Sequence, residues 1–438
     1  MAGGDLKNKA LRLSSTVQNY EWGKHGRAGE VGRLYSLISK SPPEEDKPYA
    51  ELWMGTHDSG HSLVVSEEEH TGKLPLRNWL QEHPEALGDK VLERWGIDLP
   101  FLFKVLSVGK ALSIQAHPDK DLAQALHQAQ PKVYKDSNHK PEMVLALTEF
   151  EALCGFVDQQ ELKNVLQTVP EIENILGESR TIELMDVESR GQSADHVKMS
   201  LKSAFTQLMT IDKEAVMEAL RKLKMRLNQE NQVRNLTLKE QLVLRLEKQY
   251  PNDIGVISAF FFNYVKLVPG EALYLDANEP HAYLYGECVE CMATSDNVVR
   301  AGLTPKYRDV ETLCSMLTYK QGMPEILQGV PLNPFTTRYS PPFYEFEVDR
   351  CILPFSTTVT FPAVSGPSIF LVLYGEGVMT QKLVNDESII NVQEGDVFFV
   401  PAGIQLDISS IIEENIEANK EHRPLHLYRA GVNSRVFE

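Results

Sequence analysis

Cysteine is scarce in this 438-residue chain: five residues, Cys154, Cys288, Cys291, Cys314 and Cys351, odd in number and scattered. A disulfide-held secreted scaffold carries more and pairs them, so a reducing, cytoplasmic compartment is the expectation. No apolar run is long enough to span a bilayer; the most apolar stretch, residues 257–268, is interrupted by Asn263 and Lys266. The opening MAGGDLKNKALRLSS lacks the apolar core of a signal peptide. Positive charge is in deficit, with 44 Lys and Arg against 61 Asp and Glu, a net −17. A field of that sign repels nucleic acid and anionic membrane alike. It also repels phosphorylated small molecules, which would need a local cluster of Lys and Arg to bind.

What is present is an ordinary globular balance, 42% apolar and 24% charged, in a chain long enough for two or three domains. Three textures follow one another. Up to about residue 157, short alternating or apolar runs are broken by Gly, Pro and Asp, the punctuation of strands. Between residues 158 and 250 the texture turns helical. Asp158 with Glu161 and Thr237 with Glu240 have capping-box spacing, and Leu238, Leu242 and Leu246 form a stripe at helical period. The strand texture returns at residues 251–325, and a looser stretch at 324–342 reads as a linker into a last β block, 326–438. The helical block therefore interrupts one β domain made of 1–157 and 251–325.

The segment FLFKVLSVGKALSIQAHPD reads as two strands joined at VGKA, with Ser113, Gln115 and His117 on one face by the two-residue period. Gly109, Gln115 and His117 have the spacing of the first sequence box of the cupin jelly rolls, with Gln in place of its first histidine. In KLVPGEALYLDANEPHAYLY, Gly270 opens the second box, Asp276 and Asn278 occupy its turn, and His281 falls at its ligand position. Asn is the natural stand-in where Gly is wanted for left-handed backbone. Between the boxes, NHKPEM puts Lys140 and Glu142 on one face if extended. Two imidazoles, a carboxylate and an amide oxygen suit Zn²⁺ and keep the site near +1. The fold expected is mainly β with an α insert: two cupin-type jelly-roll barrels plus a helical domain.

The second barrel is expected to be metal-free. EGDVFFVPAGIQLDI, aligned on Gly395, repeats the second box with Pro401 and Gly403, but its ligand position is Leu406, and GEGVM (375–379) reads as a strand turn. Around the candidate metal, Glu290, Asp296, Arg300 and Lys306 follow His281, while Lys104 and Ser113 lie on the preceding strands. Lys104, Ser113 and Lys306 are the candidate phosphate contacts. Cys288-x-x-Cys291 has no second pair and reads as core.

Together PYAELWMGTHDSG, PFLFKVLSVGKALSIQAHPDK, NHKPEM, EPHAYL and ECMATSDNVVRAGLTPK resemble the type I phosphomannose isomerases, over nearly the whole chain. The resemblance implies interconversion of mannose 6-phosphate and fructose 6-phosphate by a monomer with one zinc per chain. Its ligands would be Gln115, His117, Glu142 and His281, with Arg300 in the active site and His139, Lys140 and Asp296 in acid–base roles. The base stays open between Lys140, Glu290 and Asp296, with Lys140 and Asp296 favoured. Two other readings share the ligand pattern. An Fe²⁺ cupin dioxygenase is disfavoured by Gln115 and the basic cluster; a sugar-phosphate sensor would not need a complete ligand set.

Overall fold

The computed structural model describes residues 9–65, 74–186, 193–382, 387–411 and 423–438. It is mostly sheet with twelve α-helices, and every ladder between its strands is antiparallel.

The sheet that carries the candidate site is organised by one long strand, His281–Ala293. Its C-terminal half pairs with Phe101–Val108 on one side and Glu142–Ala146 on the other. Its first residues pair instead with Phe150–Phe156 and, at His281, with Gln115. The strand can serve two sets of partners because it turns at Gly286, which adopts φ +118°. A Cβ there would sit 2.4 Å from the Glu149 carbonyl oxygen, so no other residue fits.

A second, nine-stranded sheet is built mainly from the C-terminal block, in the order Val330–Asn333, Thr336–Tyr339, Glu347–Leu353, Leu425–Gly431, Ser368–Tyr374, Val397–Val400. It then continues into N-terminal strands, Leu11–Ser14, Leu63–Val64 and Leu74–Pro75. Leu11 pairs with Phe399 and Leu13 with Val397, so the first described strand is stitched into the sheet of the last block, across the boundary expected at residue 326. The stretch 324–342 is likewise not a loose linker. It holds the strands Ile326–Leu327, paired to Ala272–Leu275, and Val330–Asn333 and Thr336–Tyr339, which open the second sheet. Its prolines and short runs masked that pattern: Pro331 sits on the edge strand, where no ladder donor is lost. A four-stranded sheet closes over the C-terminal block, and Leu406 starts one of its strands with its side chain buried.

Three apolar clusters account for the layering. Cys351, Phe370, Val372, Phe398, Ile408 and Leu427 fill the C-terminal block. Leu13, Phe103, Val105, Met143, Ile369 and Leu371, drawn from both large sheets, pack them against each other. Phe156, Phe205, Phe261 and Leu246 join the helical block to the first sheet. Six α-helices lie among the described residues between 159 and 249. The expected capping signals are there: Asp158 accepts the Glu161 N–H at 2.7 Å, and Thr237 with Glu240 forms the complete reciprocal box. The CxxC residues lie on opposite faces of the long strand, Cys288 in one cluster and Cys291 in another, both buried and unpaired.

Candidate metal centre and active site

Strand register brings together residues that are far apart in sequence. Gln115 lies directly opposite His281 in one ladder and opposite Arg300 in the next. Glu142 opens its strand beside the long strand, opposite Met292. The turn before His281 is tied to the turn after His117. Asn278 takes left-handed backbone at φ 62°, donates its N–H to the His117 carbonyl at 2.8 Å, and donates its amide to Asp119 Oδ2 at 2.7 Å. The Asn that stands where Gly is common therefore supplies the conformation and two tethers besides.

His117, Glu142 and His281, all buried, present ligand atoms within 4.8 Å of one another. The tautomer of each imidazole is set from behind. His117 Nδ1 donates to the Asn297 carbonyl at 2.7 Å and His281 Nδ1 to the Glu279 carbonyl at 3.0 Å, since a carbonyl oxygen can only accept. Burial pushes His117 down to about 4, so it is neutral near pH 7. With Nδ1 turned to the backbone, each ring presents Nε2 to the interior, and both Nε2 atoms are buried without a hydrogen-bond partner. They face the same carboxylate, at 3.3 Å from Glu142 Oε1 and 3.6 Å from Oε2. Lone pairs aimed at carboxylate oxygens repel one another unless a cation lies among them. Burial works against ionised Glu142, but positive charge beside it, with Lys140 Nζ 3.4 Å from Oε1, holds its carboxyl well below the usual range. This donor set fits a divalent metal ion. Gln115 borders it, its Oε1 accepting from the Ser113 hydroxyl at 3.1 Å.

The other candidates divide by what they touch. Lys104 is buried; its Nζ lies 2.8 Å from Glu290 Oε2 and 3.4 Å from Glu51 Oε2. Burial alone would lower its pKa, yet those carboxylates hold it raised, while burial raises Glu290. The ammonium is thus committed to a buried ion triad, and Ser113 to Gln115. Lys306 is exposed on the loop after Arg300. Arg300 is half-buried, with its pKa lowered by that burial, and makes no ion pair among the described residues. His139 Nε2 is 2.8 Å from Glu345 Oε1 of the C-terminal block, which ties the NHKPEM segment to the second sheet.

Asp296 has a partner that the sequence does not signal. His57 Nε2 is 3.3 Å from its Oδ1. The His57 Nδ1 accepts the Ser59 N–H at 3.1 Å, which leaves the proton on Nε2, and the edge of Trp53 packs against the ring. His57 is the main cause that lowers the Asp296 carboxyl, with Lys135 and Lys140 adding to it. Asp136 holds the same loop by accepting the Asp296 N–H at 2.8 Å and the Ser295 hydroxyl at 2.9 Å. Tyr283, which donates to Glu142 Oε2 at 3.2 Å, and Glu51 complete the polar surroundings. His57 and Glu51 both lie in PYAELWMGTHDSG, but nothing in that segment's spacing assigns them to Asp296 or Lys104; the contacts of the folded chain do.

The chain is similar to known proteins over nearly its whole length. Residues 10–159 match the family model of the phosphomannose isomerase type I catalytic domain, and residues 175–262 that of its helical insertion domain. The chain is 54% identical to mannose-6-phosphate isomerase 1 of Arabidopsis thaliana, over 98% of this chain and 96% of that protein. It is 42% identical to the Homo sapiens mannose-6-phosphate isomerase, over 90% and 94%. Among solved structures, a variant of phosphomannose isomerase from Salmonella typhimurium superposes with TM-score 0.79 at 29% identity, covering 97% of this chain and 99% of that one. A mannose 6-phosphate isomerase bound with zinc and yttrium superposes with TM-score 0.77 at 29% identity and the same coverage.

Proposed function

Because the chain belongs to the type I phosphomannose isomerase family and is an aldose–ketose isomerase of that class, we propose that it interconverts mannose 6-phosphate and fructose 6-phosphate with one zinc ion held by Gln115, His117, Glu142 and His281. The observation that carries the metal is the pair of orphaned Nε2 atoms facing one buried carboxylate. When bound, zinc supplies Lewis acidity toward the sugar oxygens. In this reading the two β blocks are cupin-type jelly rolls, residues 1–157 with 251–325 and residues 326–438, separated by the 158–250 insert, and the protein works as a cytoplasmic monomer.

The chain's own groups divide the remaining work. Exchange of aldose for ketose moves a proton between C1 and C2 through an enediol-like intermediate, so it needs a fixed positive charge at the oxygens and a base near the carbon acid. Arg300, half-buried and free of ion pairs among the described residues, supplies the charge. Lys140 and Asp296 carry the proton. Lys140 lies beside Glu142, Asp296 precedes Asn297, whose carbonyl holds His117, and neither is enclosed in a buried ion triad as Glu290 is. His57 acts through Asp296, as a positioning residue that keeps that carboxylate ionised and aimed. Tyr283 and Lys140 steady Glu142. Incubation of the purified protein with mannose 6-phosphate is expected to yield fructose 6-phosphate, with about one zinc per chain by metal analysis and loss of turnover on chelation. A stripped protein with undiminished turnover would end the zinc assignment, and absence of fructose 6-phosphate would end the reading as a whole.

A further inference from the structure

Residues 295–297, between the strands His281–Ala293 and Val299–Gly302, belong to no strand, so no ladder fixes them. Two parts of the site nevertheless depend on this short turn. Asn297 offers its carbonyl to the His117 Nδ1–H at 2.7 Å, and Asp296 is one of the two groups assigned to proton transfer. The side chains alternate. Ser295 and Asn297 are buried, while the Asp296 carboxylate is partly exposed and meets His57.

One carboxylate, that of Asp136, makes up for the missing ladder. Its Oδ1 accepts the Asn138 N–H at 2.9 Å, an Asx turn that fixes the carboxylate on its own segment. The same oxygen accepts the Ser295 hydroxyl at 2.9 Å and the Asn297 amide at 3.1 Å. Oδ2 accepts the Asp296 N–H at 2.8 Å. The Asn297 amide also donates to the Asp136 and Asn138 carbonyls, at 2.7 and 3.0 Å, and Ser295 Oγ accepts the Asn297 N–H at 3.1 Å. Only an ionised carboxylate accepts at both oxygens at once; a side-chain amide of the same shape accepts at one and donates at the other.

We propose that Asp136 is a positioning residue with two outputs. Through Oδ1 and Asn297 it holds the carbonyl that sets the His117 tautomer for the metal; through Oδ2 it aims Asp296 at the reacting sugar. The second output rests on the isomerase reading, the first only on the metal site. Partners that orient a ligand imidazole from behind raise metal affinity, and a displaced acid–base group slows the chemical step. The outputs are separable because they leave from different oxygens. In Asp136→Asn the amide oxygen belongs at the Oδ1 position, where three donors need an acceptor. Its NH₂ then opposes the Asp296 N–H at the Oδ2 position. That substitution cuts one arm and keeps the other.

The test compares the wild-type protein with Asp136→Asn and Asp136→Ala. Zinc affinity is measured by chelator competition, kcat and KM for mannose 6-phosphate at saturating zinc, and unfolding temperature alongside. Asp136→Asn is expected to lower kcat about tenfold with KM and zinc affinity unchanged. Asp136→Ala removes both arms and is expected to show the same loss of kcat and about tenfold weaker zinc binding. Wild-type kcat in the first variant, or wild-type zinc affinity in the second, overturns the proposal. So does a lowered unfolding temperature with kcat and zinc affinity intact, which marks a structural tether and nothing more. If Asp136→Ala does not fold, Ser295→Ala takes one donor from Oδ1 and leaves the carboxylate in place. Zinc affinity should still fall there, and wild-type affinity would again overturn the proposal. A wild-type protein that does not isomerise mannose 6-phosphate fails the isomerase reading, and zinc affinity in the same variants then decides the Oδ1 output by itself.

Discussion

At the scale of single residues, the site separates groups that face the reacting sugar from groups that face other side chains. Arg300 is of the first kind. Arg300→Ala is expected to lower kcat by about 10²- to 10³-fold, the usual effect of removing one preorganised donor to a developing oxyanion. Zinc content should be unchanged, because Arg300 contacts none of the three clustered ligand side chains in any recorded ion pair or hydrogen bond. Steady-state kinetics beside metal analysis checks both halves. His57 is of the second kind. Its Nε2–H is the main cause that lowers the Asp296 carboxyl, so His57→Gln should let that pKa rise toward its ordinary value. A base that protonates at higher pH moves the acidic limb of the kcat/KM profile upward, while the alkaline limb stays in place. A profile that only drops in height, with no movement of the acidic limb, would mean that His57 does no more than fill space against Trp53. The cluster of His117, Glu142 and His281 was legible in the sequence because the box spacing and NHKPEM single these residues out locally. His57 was not, since its meaning comes from a hydrogen bond to a residue more than two hundred positions away.

At the scale of elements, the turns matter as much as the strands they join. Asn278 holds positive φ and bridges to the His117 turn through its backbone and its amide. Asn278→Gly keeps the backbone freedom and loses the amide, which should cost about 0.5–1.5 kcal/mol. Asn278→Ala loses both and should cost about 1–2 kcal/mol more, from the left-handed conformation. Denaturant unfolding ranks the two, and zinc affinity should follow the same order because this turn sets the distance between His117 and His281. The chemistry of such turns is readable from sequence, as are the helix caps at Asp158 and Thr237, because each is decided by residues within a few positions. Residues 324–342 show the opposite case. Their prolines and short polar runs read as a linker, yet they form strands whose partners, Ala272–Leu275 and Glu347–Leu353, supply the pattern that the stretch itself lacks.

At the scale of the whole molecule, the two β blocks are joined by more than a connection. Leu11–Ser14 lies inside the nine-stranded sheet, between Val397–Val400 and Leu63–Val64, and one apolar cluster takes residues from both large sheets. A buried ion network reinforces the far side of that sheet. Asp349 accepts from Arg338 at 2.7 and 3.0 Å and from Arg429 at 2.7 Å. Burial opposes its charge, but Arg429 and Arg338 outweigh burial and hold the Asp349 carboxyl below the usual range. A carboxylate depressed in the folded state adds stability that is present above its unfolded pKa and lost as pH falls through the folded one. Arg429→Met removes one of the two cations on this buried carboxylate and leaves it to Arg338, so it should cost about 1.5–3 kcal/mol at pH 7, the worth of a hydrogen bond to a charged group. The deficit should narrow on acidification as Asp349 takes up its proton. Leu13→Ala tests the coupling from the other block. Its side chain is 5% exposed in the shared cluster, so truncation should cost about 2–5 kcal/mol. Because Leu13 belongs by sequence to the block that carries the metal ligands and by pairing to the other, thermal unfolding should remain one transition displaced to lower temperature. Zinc release and loss of sheet signal should coincide. Two separated transitions, with only the one lacking zinc release displaced, would show that the N-terminal strand serves its adopted sheet alone and that the blocks melt independently.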